Sequence, residues 1–219
     1  MNQSSFRVGL AAMAVILFLM PAAMARETAR SQLEHFSDGL QTLHARFSQV
    51  VISTDSTIQD RSDGEVWLAR PNLFRWAYGG DYPELVVADG VHIWIYDEML
   101  EQVTVKELAA TAMESPLVLL TEPGRLEERF EVREAGASDE AALLELRALN
   151  PEYEFERILL GLNDNDLVMM IMEDAFGLRT EIRFSDTRRN PELVDDLFRF
   201  EAPDGVDVIG DLPGTANQR

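Results

Sequence analysis

From Glu27 to about Thr42 apolar side chains recur every three or four residues. Leu33, Phe36, Leu40, Leu43 and Phe47 form one stripe, and Arg30, Glu34, Asp38 and Gln41 lie opposite, which predicts an amphipathic helix. At His44 the period shortens to two and β-branched residues enter, predicting a strand to about Thr54. Strands follow at Glu65–Ala69, Leu73–Tyr78, Glu84–Ala88, Val91–Tyr96 and Gln102–Val105, with Asp63-Gly64, Gly79-Gly80 and Asp89-Gly90 as turns. Between Lys106 and Glu122 the rhythm breaks. Ser115 reads as a helix cap and Pro116 as a first helical residue, leading Leu117 to Leu120 into a short apolar helix that stops at Pro123-Gly124. Strands resume at Phe130–Glu134, Leu143–Leu149, Phe155–Leu162, Leu167–Met172 and Leu178–Phe184, and Asn163 to Asp166 turns between two of them. Phe198, Phe200 and Val206 predict a final strand edge, and Asp211 to Arg219 a loose tail.

Several of these strands are apolar on both faces. Ile93 and Ile95 oppose Trp94 and Tyr96; Leu167, Met169 and Ile171 oppose Val168, Met170 and Met172. An antiparallel sheet with one wet face alternates instead. The pattern therefore predicts a sandwich, or a sheet curled around an interior and capped by the two helices. That interior is either a filled core or an apolar cavity, for which Met169, Met170 and Met172 would be an adaptable lining. With no repeat and no dividing linker, the expectation is α+β: one domain of about eleven antiparallel strands with a leading and an inserted helix.

The first 25 residues change the picture. Arg7, an apolar run from Val8 to Met20, Pro21 and then Ala23-Met24-Ala25 have the layout of a cleaved secretory leader. The run is shorter than the ~20 apolar residues of a spanning helix. The expected divisions are thus 1–25 leader, 26–210 folded domain and 211–219 tail. Across 219 residues, 19 Lys and Arg face 39 Asp and Glu, a formal charge of −20. Such a polyanion is a poor partner for nucleic acid. Cysteine is absent, which excludes disulfides, thiolate metal sites and an acylated cysteine. The three histidines, His35, His44 and His92, have no metal-ligand spacing. No nucleophile elbow or phosphate loop is present. Glu127-Glu128 and Asp195-Asp196 read as solvated acids and Asn163–Asp166 as a turn, not a calcium loop. No catalytic residue, metal or cofactor is expected.

Gly64 to Asp97 carries the most specific signal. Arg70-Pro-Asn-Leu-Phe-Arg-Trp76 is followed by Asp89-Gly90, Trp94 and Tyr96 in a D-G-x-x-x-W-x-Y hairpin. With the leading helix, Phe47-Ser48-Gln49, Ser115-Pro116 and Phe198-x-Phe200-x-x-Pro203-x-Gly205-Val206, this resembles the outer-membrane lipoprotein carrier family of Gram-negative bacteria, LolA. The resemblance covers about Thr28 to Asp207. It implies an unclosed antiparallel β-barrel with helices forming a lid over an apolar cavity. It also implies a periplasmic monomer that takes triacylated lipoproteins from an inner-membrane lipoprotein-releasing ABC transporter and hands them to an acylated outer-membrane receptor. The missing cysteine fits the soluble carrier, not the receptor. Each exposed methylene of an acyl chain costs ~0.8 kcal/mol, so cargo needs shelter in transit. In that family the arginine of the R-P-N block holds the empty form shut, which maps to Arg70; by the residues alone Arg70 is a surface cation at a strand end. Phe74, Trp76, Leu117 and Leu120 are the expected acyl-chain cavity, and Leu33, Phe36 and Leu40 the inner side of the lid helix. Ordinary core packing is the alternative for each. A periplasmic lipoprotein sensor of related fold, a carrier that also inserts its cargo, and a hydrolase assembled from distant strands are the other readings.

Overall fold

The leading helix ends sooner than its stripe predicts. In a computed structural model describing residues 27–108, 123–139, 141–151 and 153–210, α1 spans Ala29–Ser37. Thr28 caps it, its hydroxyl accepting from the Ser31 N–H at 3.1 Å. Gly39, at φ +64°, then turns the chain, a left-handed conformation that glycine adopts without a Cβ clash. Leu40 therefore lies beyond the helix, and β1 starts at Thr42.

Among the described residues twelve strands form one sheet: β1 (Thr42–Ile52), β2 (Ile58–Ala69), β3 (Leu73–Tyr78), β4 (Glu84–Asp89), β5 (His92–Asp97), β6 (Gln102–Glu107), β7 (Phe130–Ser138), β8 (Ala141–Ala148), β9 (Phe155–Asn163), β10 (Asp166–Asp174), β11 (Arg179–Arg189) and β12 (Asp207–Gly210). Their order is β12-β6-β5-β4-β3-β2-β1-β11-β10-β9-β8-β7. The two end strands do not pair, so the sheet stays unclosed, as the α+β open barrel predicted. Neighbours are antiparallel except β12, which runs parallel to β6. β2 begins earlier than its apolar part predicts, because Ile58–Gly64 ladders against β1 with mostly polar side chains. Residues 109–122, and with them Leu117 and Leu120, lie outside the described residues, as do the expected leader, 1–25, and the expected tail, 211–219. Pro123–Glu128 form a short 3₁₀ helix.

Three local devices set the register. At the β4–β5 turn the Asp89 carboxylate accepts from the Val91 and His92 N–H groups and from the Trp94 indole, at 2.7–2.8 Å. This bracket explains the D-G-x-x-x-W spacing. Gly64 allows β2 to approach β3 closely: a Cβ there would lie 2.0 Å from the Ala77 carbonyl oxygen and 2.9 Å from Phe47. In β10 the pairing with β9 shifts between Leu167 and Met169. That shift separates Leu167 from Met169: Leu167 joins Met170 and Met172 in the main core, whereas Met169 packs with Leu143, Leu159 and Ile171 in a separate cluster. Uninterrupted alternation had put Met169 with Leu167.

The final segment also departs from expectation. Phe198 and Phe200 are not in a strand. The chain after β11 runs as a strap along the sheet, where Arg75 donates to the Leu197 carbonyl at 3.3 Å and Phe200 packs on Trp94 and Tyr96. Only then does β12 join β6.

Candidate functional site

The inward rows of the sheet build the site. Pairing aligns Val66, Trp76, Val86 and Ile95 across β2 to β5, and Leu68, Phe74, Ala88 and Ile93 beside them. Phe74, Trp76, Tyr78, Val86, Ile93, Ile95, Phe155, Met170, Met172 and Ile182 line a cavity of about 310 Å³, with Gln49, Lys106 and Glu154 as its polar members. Its wall is aromatic. Phe47 meets Trp76 and Tyr78 edge-on, with ring centroids 4.7 and 5.1 Å apart, and Phe184 lies 6.3 Å from Trp76. The Tyr78 hydroxyl donates to Gln49 Oε1 at 3.4 Å. Burial first, then the negative charges of Glu84 and Asp60, push its pKa well above the usual phenol value. It stays a neutral donor at the polar end. Glu84 is itself pushed upward, by burial and by the charge of Asp97.

α1 closes part of the same interior. It packs on β8, β9 and β10, with Leu33, Phe36 and Leu40 fully buried. These three belong to the packed core and do not line this cavity, whereas Phe74 and Trp76 do. The four last carbonyls of a helix lack intrahelical partners, and the barrel wall supplies donors to two of them and to the two carbonyls that follow. Arg70, whose bond to Pro71 is cis, donates from Nη2 to the Ser37 carbonyl at 3.2 Å. Arg189 Nη2 donates to the carbonyls of His35 (3.2 Å) and Asp38 (2.8 Å), and its guanidinium carbon lies 5.7 Å from the centre of the Phe36 ring. Asn190 donates to the Gly39 carbonyl at 3.0 Å. Two cations thus sit at the negative end of the helix dipole. At the other end Glu134 of β7 accepts from the N–H groups of Ala29 and Arg30, both at 3.0 Å.

Of the methionines read as an adaptable lining, Met170 and Met172 line the cavity and Met169 does not. The sequence reading missed Tyr78, Val86, Ile95, Arg189 and Glu134. Tyr78 was within reach, as the next member of the Phe74–Trp76 row; the others depend on pairing across strands distant in sequence. Among the described residues no group of His, Asp and Glu is placed to hold a metal ion, and no helix is long and apolar enough to cross a membrane.

An unclosed sheet with a mostly apolar cavity and a helix tied against it is the architecture of a protein that shelters apolar groups. The fold recurs in a crystal structure of an uncharacterized conserved protein from Thermus thermophilus, at a TM-score of 0.53 and 14% identity, covering 83% of this chain and 98% of that one. Residues 38–201 match the family model for the outer membrane lipoprotein carrier protein LolA. The chain is 39% identical over 202 residues to the outer-membrane lipoprotein carrier protein of Xanthomonas campestris pv. campestris (strain B100), covering 90% of this chain and 96% of that protein. It is 37% identical over 194 residues to the protein so named in Dechloromonas aromatica (strain RCB), covering 89% and 93%. The chain belongs to the outer-membrane lipoprotein carrier protein LolA family. Members of this family are carriers, not enzymes, in agreement with the reading of the residues.

Proposed function

We propose that this protein is the periplasmic carrier of triacylated lipoproteins, with residues 1–25 its cleaved leader and 26–210 its single carrier domain. It accepts cargo from the inner-membrane lipoprotein-releasing ABC transporter and delivers it to the outer-membrane lipoprotein receptor. The observation that supports this most is the aromatic-walled cavity, lined by Phe74 and Trp76, in a chain of this family. An acyl chain moved from water into such a lining gains the ~0.8 kcal/mol per methylene that it loses by exposure. Leu33, Phe36 and Leu40 form the inner side and the foot of the lid in this reading.

Delivery needs the opposite tendency, a carrier that favours being empty. Arg70 supplies it by bonding the lid helix to the wall. A hydrogen bond from a charged group contributes ~1.5–3 kcal/mol, enough to shift an open–closed balance tenfold or more. Purified mature protein incubated with spheroplasts is expected to bring newly made lipoprotein into the soluble fraction as a one-to-one complex. Arg70→Leu is expected to release lipoprotein normally and to deliver it about tenfold less efficiently to receptor-bearing membranes. Absence of any soluble complex with a matched transporter would sink the carrier reading; normal delivery by Arg70→Leu would remove Arg70 from its role.

A further inference from the structure

We propose that, with α1 in place, the cavity binds one single-chain lipid with an anionic head. The chain lies against Phe74, Trp76 and Ile95, and the head bonds to the Lys106 ammonium. The inference rests on the cavity itself, not on the carrier reading, and gives the site a second class of ligand.

Of the 19 Lys and Arg residues, Lys106 alone is a lysine. β6 sets its direction. Lys106 pairs with Ile93 and Thr104 with Ile95, so the four side chains share the inward rows, while Val103 and Val105 are buried on the opposite face. Lys106 thus ends the row that runs from Leu68 through Phe74, Ala88 and Ile93, and it is the cation among the residues that line the cavity. It is exposed, which places it where the cavity meets water. A lysine suits that place, because its methylenes can cover apolar wall while the ammonium stays hydrated and mobile.

The ammonium has no counter-ion. Among the described residues no carboxylate lies within ion-pair distance of it, although Glu154 lines the same cavity. Gln49, the remaining polar member, is neutral and accepts from Tyr78. Elsewhere the acids of this chain do find the cations: Arg30, Arg147 and Arg157 each meet a carboxylate within 3.2 Å. The carrier reading leaves Lys106 unused, since the lipid end of a triacylated anchor carries ester and amide carbonyls and no charge. A hydrogen bond between two ionised groups is about twice as strong as a neutral one, so an anionic head is the better match. Size points the same way. A cavity of about 310 Å³ is at the lower end of the ~300–1,000 Å³ of small-ligand sites, room for one acyl chain and not for three. A carboxylate or a phosphate would satisfy Lys106 equally, from a free fatty acid or a lysophospholipid.

The test titrates delipidated mature protein, by calorimetry, with three lipids of one chain length: myristate, myristoyl lysophosphatidylglycerol and the neutral monomyristoylglycerol. At least one of the two anions is expected to bind one per chain and about tenfold more tightly than the neutral lipid; the tighter anion identifies the head as carboxylate or phosphate. Lys106→Gln should abolish the preference and Lys106→Arg keep it, with thermal melting unchanged in both. A second measurement uses the parent sequence. Reductive methylation with carbon-13-labelled formaldehyde gives one side-chain amine resonance, assigned by its loss in Lys106→Gln, and the preferred anion should shift it. A synthetic tripalmitoylated cysteinyl lipopeptide should displace the anion, because both occupy one cavity. The proposal is overturned if the neutral lipid binds as tightly as both anions, if Lys106→Gln keeps the preference, if the lysine resonance does not move, or if lipopeptide binds and leaves the anion in place. If the anion binds through Lys106 and the lipopeptide does not bind at all, the proposal stands and the carrier reading falls.

Discussion

The two ends of the sheet's concave face share one alternation of apolar residues and reach different outcomes. Over β8, β9 and β10, α1 lies against the sheet, and Leu33, Phe36 and Leu40 are fully buried with Leu144, Leu146 and Leu160. Over β3, β4 and β5 the inward residues are as apolar, yet Trp76, Tyr78, Val86 and Ile95 are only partly buried and border the cavity. A strand's alternation encodes which side faces inward. It does not encode whether another element fills the inside. Among the described residues, α1 stops short of the space over β3 to β5, and the cavity lies there.

The largest test of this contrast is Phe36→Ala, at the packed end. It should cost about 3–5 kcal/mol, as for other fully buried aromatic truncations, read as a lower midpoint in urea. A loss below about 1 kcal/mol would erase the distinction between the two ends. Next is Asp89→Ala, at the turn of the β4–β5 hairpin that walls the cavity. Burial tends to raise the Asp89 pKa, but bonds from the His92 N–H, the Trp94 indole and the Val91 N–H hold it below the ordinary carboxylate value. A depressed folded pKa contributes stability above the unfolded value and loses it as pH falls through the folded one. The variant should therefore lose about 1.5–3 kcal/mol near neutrality and show a flatter acid limb. Amide exchange should quicken in β4 and β5 and stay unchanged in α1 and β8–β10. The smallest effect on stability belongs to Ile95→Ala. Because its side chain already borders empty space, it should cost about 1 kcal/mol, below the ~2–5 kcal/mol of a fully buried site. Its mark should fall on binding, with lipopeptide affinity in a calorimetric titration down about tenfold through lost apolar contact.

The sequence made the strands legible because alternation and turn residues agree: Asp89-Gly90 and Asn163–Asp166 turn where expected, and Phe74, Trp76 and Tyr78 share a face as their spacing requires. It hid three things. The polar first half of β2 is held by backbone pairing with β1, which leaves no apolar signature. The shift after Leu167 moves Met169 away from Leu167's side, and bulges have no composition of their own. The clamp on α1 draws Arg70 from the end of β2, Arg189 from β11 and Glu134 from β7. In sequence each is one more surface charge, and only the strand order makes them neighbours of one helix. Leu33 and Phe36 read equally well as core or as cavity until the position of α1 separates them from Trp76.

The central place of β1 has a consequence for how the molecule is made. β1 pairs on one side with β2, which follows at once, and on the other with β11; the bond from Gln41 to Asn190 spans 149 residues. Until β11 has emerged, β1 presents an open row of backbone donors and acceptors. Such an edge is a template for pairing with other chains, and long-range pairing is slow because its loop entropy is lost before any contact forms. The β1–β6 meander can therefore form early as a half-sheet, but the molecule becomes safe from self-association only when nearly its whole length is present. Mutations that slow β11 should appear first as aggregation during biogenesis, in a protein whose finished fold is unaltered.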